Sequence, residues 1–121
     1  LGGHPHVIQP MQVVYNDKED KDVLVIYSLG NLISNMKTAD TRGGALVKAR
    51  IERGIDGKAR FKSAVYDTFF AQKPHGPRGN YRVVPSRMSD LIPAGQQEHW
   101  NIFNRNARRI FDEHNVKVPP M

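Results

Sequence analysis

A single amphipathic stripe near the C-terminus constrains this chain more than any other feature. Between about residues 96 and 114 the apolar side chains recur at spacings of 3, 4, 3 and 1, and they are Trp100, Phe103, Ala107, Ile110 and Phe111. These spacings follow the 3.6-residue period of an α-helix and place the side chains on one face. The rest of the chain must supply a surface that covers this face. Asn115, before Pro119 and Pro120, predicts a left-handed cap at the end of the helix.

The residues before the stripe show the two-residue period and the turn signals of β-strands. Residues 7–15 are rich in β-branched side chains and predict short extended segments. Val23 to Tyr27 are apolar on both faces, which predicts a buried strand in the middle of a sheet. In residues 45–52 an apolar face alternates with a polar one, which predicts a strand with one solvent-exposed face.

A hairpin is the clearest strand pairing in the sequence. The pair Asp56-Gly57 predicts a tight turn between the strand at 45–52 and a second run at 59–70. A further short strand at 81–84 is stopped by Pro85. The predicted fold class is therefore α+β: a mainly antiparallel β-sheet, with one face packed on the C-terminal amphipathic helix or on a part of the protein outside this chain.

The composition limits the chemistry that the chain can perform. No cysteine is present, which excludes disulfides, thiolate metal sites and a cysteine nucleophile. Eighteen Lys and Arg oppose 12 Asp and Glu. The resulting charge of +6 is compatible with phosphate, polyanion or nucleic-acid partners, and equally with solubility alone. Nucleic acid is the weakest of these partners, because the arginines of the helix have no aromatic residues interleaved with them.

The sharpest local motif is Gly3-His4-Pro5-His6. Two imidazoles one residue apart, on a turn restricted by proline, can reach one metal ion or two neighbouring ions from a single stretch of backbone. The same motif would arise from a pair of exposed loop histidines or from the remnant of an expression tag. From the residues alone, all three interpretations stay open.

Four segments of the chain follow one another in a recognisable order: HPHVIQP at 4–10, IYSLGNLI at 26–33, TRGGALVK at 41–48 and YRVVP at 81–85. Together they resemble motifs of the CapA-type proteins of capsule and poly-γ-glutamate synthesis, which are built on the calcineurin-like metallophosphatase fold. The resemblance covers roughly residues 2–86. It implies that residues 1–86 form the C-terminal part of a four-layer metallophosphatase-like sandwich and that residues 87–121 form a helical extension.

The resemblance also implies a metal site. In that fold a Gly-His-x-His motif supplies ligands to two divalent metal ions, and residues 3–6 match it position by position. His6 would ligate one ion, His4 would lie at the other ion or near the substrate anion, and the metal stays open among Mn, Fe and Zn. The family's other ligands come from Asp-x-His, Gly-Asp and Gly-Asn-His-Asp motifs, none of which occurs in this chain. We therefore expect this chain to be inactive alone and its site to be completed by an N-terminal half of the same protein. The start at Leu1 predicts a truncated or processed product, with any leader or anchor upstream.

Four polar residues are candidates for contacts with substrate. Ser28 and Asn31 lie where the apolar strand opens into a loop, and in the resembling family this segment lies beside the metal cleft, which implies a role in orienting ligands or substrate. The alternative is that they only supply turn geometry. Lys37 and Arg42 in the following loop could bind a carboxylate or phosphate, with ordinary solvated charge as the alternative.

Two functions follow as hypotheses. The first, implied by the resemblance, is metal-dependent hydrolase-like chemistry in the synthesis of a capsule polymer such as poly-γ-glutamate, in the bacterial cell envelope or elsewhere outside the cytoplasm. The second is a non-enzymatic surface module that binds or anchors an anionic envelope polymer through Lys37, Arg42 and other basic residues. If the sheet normally packs on an absent half, this chain would expose an apolar patch and could form a homodimer.

Overall fold

Two antiparallel sheets and a C-terminal helix make up the fold of residues 2–121, which the computed structural model describes. The strands are β1 (Met11–Asn16), β2 (Lys21–Ile26), β3 (Gly43–Arg53), β4 (Ala59–Gln72) and β5 (Arg82–Pro85). β1 pairs with β2 in one sheet, and the other sheet has the order β3-β4-β5. The predicted α+β class, with mainly antiparallel strands and a C-terminal helix, is confirmed.

The helix α1 (Gln97–His114) packs its apolar stripe against β4. In the predicted stripe Ile110 is half-buried. The other four residues are buried: Trp100, Phe103, Ala107 and Phe111. The ring centroids of Phe111 and Tyr66 lie 4.5 Å apart, and those of Trp100 and Phe70 lie 6.1 Å apart, both edge to face. The core is therefore formed mainly by aromatic side chains of the helix and of β4.

The helix ends differently from the prediction. Asn115 has φ −72° and ψ 139°, which is an extended conformation. Its side-chain oxygen accepts a 2.8 Å hydrogen bond from the backbone N–H of Met11. The predicted left-handed cap is wrong because the chain continues in extended form beside β1 instead of turning back over the helix.

Residues 115–121 form a segment that bends at Lys117, where φ is +57°, and that contacts both sheets. The backbone N–H of Val13 in β1 donates to the carbonyl oxygen of Val116 at 3.0 Å. The backbone N–H of Tyr66 in β4 donates to the carbonyl oxygen of Pro119, also at 3.0 Å. The segment therefore joins the two sheets through its backbone.

The strand predicted at the centre of a sheet lies at the side of the fold. Among the described residues β2 pairs only with β1, and its side chains are half-buried or exposed. The most buried strand segment is the end of β4, where residues 68–72 are all buried. The predicted central position of β2 is wrong, because no described element covers the outer face of the β1–β2 sheet, where Val14 is 40% exposed.

The β3–β4 hairpin is present as predicted, and it extends beyond the core. Gly57 in its turn has φ +76°, a conformation that glycine adopts without steric cost. Near the base, Ala45 is buried and Leu46 is exposed, as the alternation predicts. Farther out, just beyond a shift in strand register between Arg50 and Ile51, Ile51 is 65% exposed. The prediction of one buried face is wrong for this outer half, because the hairpin extends beyond the elements that cover its base.

Candidate functional site

The Gly-His-Pro-His motif forms a turn that is fixed to the end of β2. The backbone N–H of Gly2 donates to the carbonyl oxygen of Ile26 at 2.8 Å, and a Cβ at Gly2 would lie 2.1 Å from the carbonyl oxygen of Tyr27. His6 adopts φ +57°, a left-handed conformation that is uncommon for residues other than glycine. His4 and His6 are both exposed. The turn therefore presents two imidazoles at the surface from a well-anchored backbone.

A hydrogen bond joins His6 to Asn31, 25 residues further along the chain. The distance between His6 Nδ1 and Asn31 Oδ1 is 2.8 Å. The amide nitrogen of Asn31 donates to the carbonyl oxygen of Thr41 at 3.0 Å, which turns the amide oxygen toward the imidazole. Because an amide oxygen can only accept, the neutral ring carries its proton on Nδ1. Nε2 then has the free lone pair, which is the form in which it can bind a metal ion.

The backbone around Asn31 is held as closely as its side chain. Asn31 is 7% exposed, and its backbone N–H donates to the carbonyl oxygen of Gly43 at 3.0 Å. Gly30 has φ +75°, and a Cβ there would lie 2.8 Å from the same carbonyl oxygen. The Gly30-Asn31 pair therefore supplies the turn geometry considered from the sequence, while the Asn31 side chain contacts His6.

Ser28 lies beneath this turn and is fully buried. Its hydroxyl oxygen accepts a hydrogen bond from the backbone N–H of Gly30 at 3.2 Å, and its carbonyl oxygen accepts one from Gln9 at 3.1 Å. In this arrangement Ser28 has no surface toward a dissolved ligand. Its contacts stabilise the turn that carries Asn31.

Lys37 and Arg42 lie on the loop that follows. Nε and Nη2 of Arg42 donate to the backbone carbonyl oxygen of Lys37, at 3.3 and 2.9 Å. The Lys37 side chain is exposed and Arg42 is half-buried. Anion binding by either residue stays a prediction, and the structure adds that the guanidinium of Arg42 is held in one orientation.

The described residues supply at most part of a metal site. In residues 2–121 no group of three or more His, Asp or Glu side chains is arranged to hold a metal ion. Catalytic zinc sites, for comparison, use three protein ligands and keep one position open. His6 fits the role of a single ligand by its tautomer, and His4 lies two residues away on the same turn. Further ligands would have to come from outside this chain.

A cleft of about 190 Å³ lies between the loop that carries Arg42, the end of β4 and the start of α1. Its lining includes Ser34, Arg42, Lys73 and His99, and no acidic side chain among the described residues lines it. We call it the basic cleft. Neither Lys73 nor His99 is recognisable as a site residue from the sequence, since no spacing rule links either residue to Arg42.

Comparisons with known proteins support the resemblance over one stretch. Residues 1–36 match the protein family described as Bacterial capsule synthesis protein PGA_cap. The match covers 36 of the 121 residues and includes His4, His6, Ser28 and Asn31. No curated protein and no solved structure matches the chain. In residues 2–121 no helix is both long and apolar enough to cross a membrane.

Proposed function

We propose that this chain is part of a bacterial capsule or poly-γ-glutamate synthesis protein. In this proposal His4 and His6 contribute ligands to a metal-dependent hydrolase site that an N-terminal half of the same protein completes. The observation that carries it is the 2.8 Å hydrogen bond between His6 Nδ1 and Asn31 Oδ1. Both residues lie in the stretch that matches the capsule synthesis family.

This hydrogen bond is the contact that a metal-binding histidine needs from its surroundings. Metal-ligating histidines almost always donate their other ring N–H to a carboxylate, a carbonyl or water, which fixes the tautomer and the ring orientation. Asn31 provides such an acceptor from a buried position, with its amide fixed by Thr41. A tag remnant, or a pair of loop histidines without a role, would not require a buried amide 25 residues away directed at one ring.

Each residue of the turn then has a distinct role. His6 would hold a divalent metal ion, Mn, Fe or Zn, through Nε2, and Asn31 would keep the ring oriented. His4 would contact a second ion or the substrate anion. Bound divalent ions would supply Lewis-acid chemistry, by lowering the pKa of bound water and by neutralising charge on an oxyanion of the substrate.

The exposed apolar surface beside the turn supports the proposal that a further part of the protein packs there. Leu32 and Ile33, directly after Asn31, are 64% and 57% exposed. Adjacent large apolar side chains at a surface often mark an interface. We assign this surface to the N-terminal half of the protein, in the bacterial cell envelope, and expect a homodimer when that half is absent. Light scattering should give a dimer mass for this chain alone, and a strict monomer at all concentrations would contradict the assignment.

The test of the metal site is elemental analysis of this chain co-expressed with its N-terminal half. The reconstituted protein should retain a divalent metal after dialysis, and His6→Ala should remove most of it. His75→Ala is the matched control, because His75 lies in an exposed loop and has no described contact with Asn31. A reconstituted protein without metal, or with equal metal content in the His6→Ala variant, would contradict the proposal.

A second candidate function is a non-enzymatic module that binds or anchors an anionic envelope polymer. The basic cleft favours it, because Arg42, Lys73 and His99 meet there with no acidic side chain among the described lining residues. The two functions respond differently to solution conditions. Binding of a polyanion through several cations weakens steeply with ionic strength, whereas metal-dependent hydrolysis is abolished by a chelator.

A further inference from the structure

We infer that the basic cleft binds a carboxylate group attached to a methylene chain, between Arg42, Lys73 and His99. The inference rests on the proposed function in one respect, which is that an acidic polymer would be the source of the carboxylate. It adds Lys73 and His99 as binding residues and places the site on the β4–α1 junction.

Backbone hydrogen bonds fix the three elements that meet in the cleft. The backbone N–H of Ala71 in β4 donates to the carbonyl oxygen of Arg42 at 2.8 Å. The side chain of Gln96, just before α1, pairs with both backbone groups of Lys73: Oε1 accepts from the N–H at 3.0 Å, and Nε2 donates to the carbonyl oxygen at 3.2 Å. His99 follows in the first turn of α1. The side chains of Arg42, Lys73 and His99 therefore start from backbone positions that are fixed relative to one another.

Arg42 is prepared for an oxygen ligand. Its Nε and Nη2 donate to the carbonyl oxygen of Lys37, so the guanidinium plane is held before any ligand arrives. The N–H groups of Nη1 have no acceptor among residues 2–121. A planar guanidinium with free N–H donors matches the geometry of a carboxylate.

The charges around the cleft favour an anion. Within residues 2–121 neither Arg42 nor Lys73 has a carboxylate oxygen within 4.0 Å, although five other Lys or Arg side chains do: Lys21, Arg50, Arg60, Lys62 and Arg87. The N-terminal end of α1 carries partial positive charge, which Glu98 in the first turn offsets in part. An anion in the cleft would therefore meet positive charge on several sides and no described acidic side chain among the lining residues.

The shape of the anion and the apolar residues of the cleft favour a carboxylate over a phosphate. Phe70 and Ala71 line the floor of the cleft, and Phe70 is 1% exposed. A carboxylate has both oxygens on one side, which suits the planar guanidinium of Arg42, whereas a phosphate has oxygens on every side. A carboxylate on a methylene chain can direct its oxygens to the cations and its chain to the floor. The cleft has a volume of about 190 Å³.

The test is an NMR titration of the ¹⁵N-labelled 121-residue chain in buffer from which divalent metal ions have been removed with a chelating resin. The probes are glutarate, inorganic phosphate and the neutral diamide glutaramide. We expect glutarate to cause saturable shifts of the backbone amides of Ala71 and Gly95, and glutaramide to cause none. Arg42→Gln and Lys73→Gln should each weaken glutarate binding by about tenfold or more, the effect expected when a charge-assisted contact is lost. The two variants are independent, so failure of one to fold leaves the other as the test.

The matched control is Lys48→Gln, which removes one positive charge from the exposed part of β3. It should leave glutarate affinity unchanged. The inference is overturned if glutarate gives no saturable shift, if phosphate binds as tightly as glutarate, or if Lys48→Gln weakens binding as much as Arg42→Gln. Because divalent metal is absent throughout, failure here leaves the metal proposal intact, and failure of the His6 test leaves the cleft intact.

Discussion

Asn31 holds the imidazole of His6 from beneath, with its amide oxygen 2.8 Å from Nδ1. The same amide donates to the carbonyl oxygen of Thr41, so it cannot turn over without losing a buried hydrogen bond. This arrangement links the exposed turn at residues 3–6 to the interior at the base of β3. An exposed ring thereby acquires a defined orientation.

The tautomer of His6 is the direct test of this contact. In the wild-type chain at a pH where the ring is neutral, long-range ¹H–¹⁵N spectra should show the proton on Nδ1. In Asn31→Ala the acceptor is lost, and we expect a mixture of both tautomers at His6. His114, which is exposed at the end of α1, should show the same spectrum in both proteins. A wild-type His6 with its proton on Nε2 would contradict the assignment.

Close packing at the start of β3 gives a second prediction. A Cβ at Gly43 would lie 2.2 Å from the carbonyl oxygen of Phe69 and 2.6 Å from Cζ of Phe103. Backbone cannot move aside at little cost, so Gly43→Ala should lower the free energy of unfolding by about 1–3 kcal/mol or more. Gly3→Ala is the control, because a Cβ there meets nothing within 4 Å. Urea denaturation of both variants measures the difference, and equal unfolding midpoints would show the prediction to be wrong.

Sequence patterns predict correctly those elements whose structure depends mainly on their own residues. The α1 stripe was recognisable because its apolar side chains all face one neighbouring sheet, and the β3–β4 hairpin because Gly57 must adopt a positive φ. The Gly-His-Pro-His turn was also visible as a motif. Its partner Asn31 was named as a candidate, but the hydrogen bond between them depends on how β2 and β3 come together.

Features that depend on distant packing were not visible in the sequence. Residues 115–121 contain two prolines, which predict the end of regular structure. The backbone N–H and carbonyl groups of the segment nevertheless form hydrogen bonds with β1 and β4. Apolarity on both faces predicts β2 at the centre of a sheet, whereas among the described residues it pairs only with β1 and none of its side chains is fully buried. The basic cleft draws Arg42, Lys73 and His99 from three elements, so only their arrangement in space brings them together.

The aromatic core gives a third prediction. Phe103 of α1 is 1% exposed and packs against Phe70 of β4, with ring centroids 6.5 Å apart. Phe103→Ala should lower the free energy of unfolding by about 3–5 kcal/mol, because the lost ring leaves a cavity. Ile55→Ala, at the fully exposed tip of the β3–β4 hairpin, should change it by no more than about 0.5 kcal/mol. Similar losses in both variants, measured by chemical denaturation, would contradict the assignment of the core.

The hairpin turn should respond to pH through Asp56. A side-chain hydrogen bond from Arg60, with a second from the backbone N–H of Lys58, lowers the pKa of Asp56 from its ordinary value of 3.8 to about 2. Because the pKa is lower in the folded chain than in the unfolded one, the contact stabilises the turn fully above pH 3.8. That contribution is lost as the pH falls through about 2. The pair is exposed, so the effect is confined to the turn.

A ¹³C titration of the Asp56 carboxyl group measures this pKa in the folded chain. The wild-type midpoint should lie near 2, and Arg60→Gln should move it upward toward 3.8, because the charge-assisted hydrogen bond is removed. Lys48→Gln removes a positive charge from β3 without removing a described contact of Asp56, so it should leave the midpoint in place. A wild-type midpoint near 3.8, or one that Arg60→Gln does not move, would mean that Arg60 does not hold the carboxylate. The turn would then be held by its backbone hydrogen bonds and by the positive φ of Gly57.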